Sequence, residues 1–437
     1  MYCYSNNTPK TINLIKILKI AEMRIWTKGA LLVCTVCVAL TTLGCEEKPV
    51  PAPIPDDPVK PLVEGTFEVK VDELSADSVT ITITPSEEVD YYYACLASDT
   101  NKYLGGEEES IVIDQLTNPN AKDMIFRGEQ SLTFSGLIGH SHYRLIYFQY
   151  DSEKDYIFGK FYRSERITTP DGQESIDLEV SDITGLSANF TITPEDKDAT
   201  YYFWLDEVSD YETTFENSDN VLIQHDFAFW QYTASLYEGT DWKDLMRQDL
   251  RSGDIEESSD NLYNILEWDT EYMAYAYGLD EQGNVTTQMT KRKFKTLAPE
   301  REDTTFEAEI TKCEWDVAFN KYIVEAHVTP SNPDAVYFIT ITNMDWYEWY
   351  FTSDNTGRKD EAFIQYEMLK NTSRPSCDIV RLYCLVGEDV YKPYDLRSQH
   401  FTPNKRYGIF IFGMSENGPT TPLFVEEFTT PDRPKEE

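Results

Sequence analysis

The chain has 437 residues with a formal net charge of −39, 41% hydrophobic and 14% aromatic residues. That length exceeds what one core supports and suits roughly three domains of about 100–150 residues each, and the apolar content excludes wholesale disorder. Residues 1–44 carry five Lys/Arg (Lys10, Lys16, Lys19, Arg24, Lys28) and one acid, Glu22, so the remainder holds 33 basic and 76 acidic residues, a net of −43. Such a surface repels phosphate backbones and anionic headgroups, which argues against nucleic acid as a partner and against direct electrostatic membrane binding.

From Met23 the sequence runs through Arg24 and Lys28, an apolar stretch from Ala30 to Val38, and Thr41-Thr42-Leu43-Gly44-Cys45. A charged start, a short apolar run and small residues at a cleavage point make a secretory signal, with Met23 as the expected start. The apolar run is too short to span a bilayer. Gly44 before Cys45 resembles a lipoprotein signal, although Thr42 and Leu43 depart from its usual pattern. The resemblance implies cleavage before Cys45 and lipidation of its thiol, so that 1–44 is a signal segment and the mature protein is held to a membrane by a lipid. Ordinary signal-peptidase cleavage is the other reading of the same residues.

Prolines at 49, 51, 53, 55, 58 and 61 follow. This spacing favours an extended polyproline II tether over 45–65, about 40 Å from Pro49 to Pro61 at ~3.1 Å per residue. Glu46-Glu47 directly after Cys45 is similar to the export signal of Bacteroidetes-type surface lipoproteins. That similarity implies the outer face of the outer membrane, with periplasmic retention as the alternative.

The rest repeats three times. Strand pairs of period-2 alternation open each copy: Phe67–Val71 with Val79–Pro85, Ile176–Val180 with Ala188–Pro194, and Phe306–Ile310 with Ile323–Pro330. Each second strand ends in Thr-Pro, where the missing N–H stops the ladder. A tyrosine follows seven residues after each proline: Tyr92, Tyr201 and Tyr337. Later, Leu137 precedes Tyr143, Leu266 precedes Tyr272 and Phe401 precedes Tyr407, each by six residues, and each tyrosine opens an alternating strand. The copies close on Thr169-Pro170-Asp171, Ala298-Pro299-Glu300 and Thr430-Pro431-Asp432.

The apolar-x5-Tyr element resembles the tyrosine corner of fibronectin type III domains, in which a tyrosine hydroxyl bonds back to the backbone. The resemblance covers nearly all of residues 66–432. It implies a mainly β protein of three tandem fibronectin-III-like sandwiches, over 66–171, 172–302 and 303–437, with Tyr143, Tyr272 and Tyr407 as corner residues. No core tryptophan is shared by the three copies. The copies are also long: 51, 71 and 70 residues separate the post-proline tyrosine from the corner tyrosine. Apolar residues at three-and-four spacing over Val221–Tyr232, Trp242–Leu250, Ala362–Leu369 and Ile111–Leu116 predict helices inserted there. Such insertions carry recognition, or they cover a sheet edge.

No phosphate loop, dinucleotide fingerprint or calcium loop occurs, and no cofactor is implied. His140 and His142 read as a solvated loop pair rather than as metal ligands. Gly413-Met-Ser-Glu-Asn-Gly418 reads as a hairpin turn rather than a nucleophile elbow. Three sandwiches and a tether consume the mature chain, which argues against an enzyme. Cys95, Cys313, Cys377 and Cys384 read as buried small hydrophobes.

Two aromatic clusters remain, Asp345–Phe351 and Phe227–Tyr232. Neither a strand nor a helix can bury all five aromatics of the first. Trp346, Tyr347, Trp349, Tyr350 and Trp230 are therefore the candidate ligand-binding residues, since flat rings serve both sugar stacking and protein interfaces. The alternative is that they pack the helices onto the sandwiches. The functional expectation is a non-catalytic, lipid-anchored surface binding or adhesion protein that captures a glycan, or else a structural spacer or subunit of a surface complex.

Overall fold

The structure, a computed structural model, describes residues 63–99, 121–151, 156–262, 266–352, 359–369, 380, 382–393 and 401–434. The signal segment, Cys45, most of the tether, the helix expected at 111–116 and Cys377 lie outside the described residues. The described chain divides into two compact units. One holds the first sandwich together with residues 210–242. The other holds residues 175–209 and the chain from 243 onward, which carry the second and third sandwiches.

In the first sandwich, β1 (Phe67–Leu74), β2 (Ser78–Pro85) and β5 (Gln130–Ser135) form one antiparallel sheet. The facing sheet has the order β4 (Ile125–Phe126), β3 (Tyr91–Ser98), β6 (His142–Asp151), β7 (Tyr156–Arg163), with β8 (Ile167–Thr168) also pairing β6. Alternation places Val79, Ile81 and Ile83 of β2 in the core beside Tyr92 and Leu145.

The second sandwich repeats this order. Its sheets are β9 (Ile176–Ser181), β10 (Asn189–Pro194), β13 (Ile255–Ser258), and β12 (Arg251–Ser252), β11 (Thr200–Glu207), β14 (Glu271–Gly278), β15 (Thr290–Lys295). The third has β16 (Phe306–Asp316), β17 (Lys321–Pro330), β20 (Asp389–Tyr391) facing β19 (Cys384–Val386), β18 (Val336–Asn343), β21 (Arg406–Ser415). There β22 (Gly418–Pro419) forms a hairpin with β21, and β23 (Phe424–Thr429) pairs β21 as the far edge. In every copy the proline that ends the second strand pairs with the first residue of the first strand: Pro85 with Phe67, Pro194 with Ile176, Pro330 with Phe306.

The extra length lies between the third and fourth strands of the sandwich. In the second copy it forms α1 (Val208–Thr213), α2 (Asp219–Ser235) and α3 (Trp242–Asp249), with a short α4 (Ser259–Leu262) further on. In the third it forms α5 (Met344–Thr352) and α6 (Lys359–Leu369). The helices expected from periodicity at 221–232, 242–250 and 362–369 are α2, α3 and α6.

One polar clasp closes all three sandwiches. The hydroxyls of Tyr143, Tyr272 and Tyr407 accept from the backbone N–H of Ile138, Glu267 and Thr402, each at 2.9 Å. The carbonyls of those same three residues accept from the hydroxyls of Thr169, Thr296 and Thr430, at 2.8, 2.6 and 2.6 Å. Each threonine oxygen in turn accepts from a backbone N–H, of Ser141, Thr270 and Lys405. The turn between needs one left-handed residue, and His140, Asp269 and Asn404 supply it at φ 48°, 53° and 53°. Thr296 corrects the sequence alignment, which had set Ala298 against Thr169 and Thr430. A second set ties the opposite sheet. Tyr92, Tyr201 and Tyr337 donate to the carbonyls of Gly128, Gly253 and Gly387, glycines at φ 64°, 67° and 67° in the turn between the fourth and fifth strands.

In the first unit, α2 is capped by the sandwich it lies against. The N–H of Asp219 donates to the carbonyl of His140 at 3.1 Å, and that of Asn220 to Ser141 Oγ at 2.9 Å, which satisfies two of the orphan donors of a helix N-terminus. In the second unit, the second and third sandwiches share a core. Leu186 clusters with Phe338, Ile364, Met368, Phe412 and Met414, with Trp268 packed alongside. Gly185 donates its N–H to Asn417 Oδ1 at 2.9 Å, and a Cβ on Gly185 would stand only 2.0 Å from the Asn417 carbonyl oxygen.

Two outcomes follow from this packing. Thr296→Val removes the hydroxyl that bonds the Glu267 carbonyl and the Thr270 N–H and should cost about 1–3 kcal/mol in urea unfolding, with little change in backbone circular dichroism. By calorimetry the second and third sandwiches should melt as one transition, and Gly185→Val, which forces the junction open, should split it in two. A single unshifted transition in the variant would remove the shared core as the coupling.

Candidate recognition surface

α5 begins where Asn343 caps it, its Oδ1 accepting from the Trp346 N–H at 3.0 Å, and Asp345 in the first turn complements the helix dipole. Spacing then sorts the aromatics by face. Met344, Tyr347 and Phe351 point inward and cluster with Phe363 of α6 and Phe410 of β21. The Tyr347 and Phe410 centroids are 4.7 Å apart and those of Phe363 and Phe410 4.4 Å. The Tyr347 hydroxyl donates to Asp360 Oδ1 at 3.0 Å and pins α5 to α6; burial, with that carboxylate beside it, pushes the phenol pKa up.

On the next flank Trp346 and Tyr350, one helical turn apart, stack on each other at 5.5 Å and 19°. Trp346 is half-buried and Tyr350 is 50% exposed. Trp349 stands out at 73% exposed, tilted 58° from Tyr350 at 6.2 Å. Arg406 of β21 bonds Glu348, the residue before Trp349, at 3.0 Å and Glu427 at 2.8 Å and lies 3.9 Å from Asp345. These carboxylates hold the guanidinium pKa above its ordinary value. The pairs are exposed and add little stability. They place charged hydrogen-bonding groups on the helix that carries the open indole and on the strands next to it.

Two expected ligand residues move to the core. Trp230 on α2 is 1% exposed and Tyr347 is 3% exposed, so neither ring face reaches solvent. Trp230 packs on Phe227, which also contacts Trp242. The helix period buries one residue in three or four, and these two fall on the buried stripe. Sequence reasoning did not single out Trp242 or Tyr237, which line an open cleft of about 460 Å³ where α2 ends. The signal available was their position where two predicted helices meet, Tyr237 in the connection and Trp242 at the start of the second.

The histidine pair is engaged separately. His140 Nδ1 lies 2.8 Å from Asp171 and its ring stacks over Tyr211. His142 has Thr168 Oγ1 at 3.0 Å from Nδ1 and the Glu216 carbonyl at 3.2 Å from Nε2. Nearby, buried Asp99 holds Arg166 at 2.6 Å and Arg144 at 2.9 Å. Among the described residues no cluster of three or more metal-type side chains forms. Burial raises the thiol pKa of Cys95 to about 11 and that of Cys384 to about 12, which suppresses the thiolate. Residues 413–418 form the β21–β22 hairpin, with Ser415 bonded to the Gly418 carbonyl.

Burial first, then Arg166, lowers the pKa of His142 below its ordinary 6.5. The folded state therefore favours the neutral ring. Its contribution is complete above pH 6.5 and is lost as the pH falls through that value toward the folded pKa. His142→Gln removes this term, so the difference in urea midpoint between pH 7.5 and 5.5 should be smaller in the variant than in the parent chain.

No protein-family model matches this chain, and no curated protein matches it. Among solved structures, the FN1–FN3 domains of chicken CNTN1 align with 83% of this chain and 97% of theirs, at 10% identity and a TM-score of 0.21. The central fibronectin-III array of RIM-binding protein aligns with 85% of this chain and 98% of its own, at 9% identity and a TM-score of 0.15. The class is defined by the strand order: this is a mainly β protein of tandem fibronectin-III-like sandwiches.

Proposed function

We propose that this chain is a non-catalytic, lipid-anchored cell-surface binding or adhesion protein that captures a glycan on the outer face of α5. The lipid on Cys45 and the proline tether over 45–65 hold the sandwiches clear of the outer membrane. The observation that carries the reading is Trp349: a large indole left in solvent, with Tyr350 half exposed beside it, on a helix whose remaining aromatics pack inward. A sugar ring stacks on such a face, and Glu348, Arg406 and Glu427 supply directional partners for its hydroxyls.

The rival reading is a structural spacer or subunit of a surface complex. The core shared by the second and third sandwiches favours it, because a fused pair transmits position as a flexible pair does not. A glycan array probed with residues 62–437 and with Trp349→Ala/Tyr350→Ala decides between them. Both rings are exposed, so the variant should keep its thermal midpoint within a few degrees, since surface changes are usually small. Binding that drops at least about tenfold in the variant supports capture on α5, in line with the worth of one aromatic contact. A blank array with folded protein leaves the spacer reading.

A further inference from the structure

A second feature, separate from α5, lies where α2 ends. The chain leaves the helix at Leu236, turns through Gly239 at φ 80° and starts α3 at Trp242. Between them opens the 460 Å³ cleft, within the usual size of small-molecule sites. Tyr237 and Trp242 bring aromatic rings to it, and Trp242 is steadied by Phe227 at 5.9 Å. Tyr237 is exposed, as is Leu236 before it in the chain.

The charges there have one sign. Glu238 and Asp241 line the cleft, and no lysine or arginine does. The cleft also sits at the C-terminal end of a 17-residue helix, the negative pole of its dipole, and that last turn holds no basic residue to offset it. Aromatic faces, two carboxylates and a helix C-terminus all attract the same group. Each favours a positive charge and disfavours an anion, and the aromatic faces do so through the ring quadrupole.

We propose that this cleft is a binding site for an organic cation: an ammonium group carried on a body the size of a monosaccharide or an amino-acid side chain. The ammonium faces Glu238 and Asp241, while Tyr237 and Trp242 hold the apolar part. Gln231 and Thr240 are placed to bond a neighbouring hydroxyl or amide.

The test uses the mature chain labelled with 5-fluorotryptophan, with the Trp242 signal assigned from Trp242→Phe. It is titrated with glucosamine, with lysine amide, and with N-acetylglucosamine as the neutral near-isostere. The Trp242 resonance should shift saturably with an ammonium probe and stay still with the neutral sugar. Glu238→Gln/Asp241→Asn should weaken that response about tenfold or more, with the Trp349 resonance unmoved as a control for fold. Response to glucosamine alone identifies an amino-sugar source, and response to lysine amide alone identifies a basic peptide. A Trp242 signal that ignores both ammonium probes, or that moves equally with the N-acetylated sugar, overturns the proposal.

Discussion

The structure depends on a buried hydroxyl pair. In each sandwich a tyrosine and a threonine hold both backbone groups of a single residue, the tyrosine oxygen accepting from its N–H and the threonine hydroxyl donating to its carbonyl. A buried peptide group without partners costs more than a made hydrogen bond returns, so the loop entering the sixth strand of the sandwich has one low-energy path. The clasp is local to that end of the fold. It therefore tolerates some seventy residues between the post-proline tyrosine and the corner tyrosine in the second and third copies, because no part of the inserted chain enters it.

The insertions are thus free to do other things, and the two described ones differ. The start of α2 is bound by the first sandwich, which supplies acceptors for its N-terminal N–H groups. α6 contributes Ile364 and Met368 to the core that fuses the second and third sandwiches. α5 keeps Trp349 and Tyr350 in water. The aromatic richness of this chain accordingly has two destinations. Most rings fill clusters between helix and sheet, where area burial stabilises them, and a few stand at surfaces where burial cannot explain them.

Electrostatics acts on these surfaces unevenly. The strong acidity is spread over the chain and serves solubility. At Arg406 it is partly neutralised by ion pairs, whereas the cleft at the end of α2 is lined by Glu238 and Asp241 and by no lysine or arginine. The buried Asp99 with Arg144 and Arg166 is a third case, in which the carboxylate is removed from water only because two guanidiniums accompany it.

The sequence by itself determined the repeat, its mainly β class and the identity of the tyrosine anchors. Period-2 strands, Thr-Pro stops and apolar-x5-Tyr spacing are local patterns, and local sterics and hydrogen bonding fix their meaning. It also placed α2, α3 and α6 from apolar spacing. Only the tertiary structure decided which residue completes the second clasp: Ala298 occupies the place before Pro299 that Thr169 and Thr430 hold before their prolines, but the hydroxyl that reaches the Glu267 carbonyl, 29 residues away, is that of Thr296. It alone separated Trp349 from Tyr347 and Trp230 from Trp242. Helix spacing shows that some rings must face out, but which face is inward depends on Phe363 and Phe410, contacts between segments that no local pattern encodes.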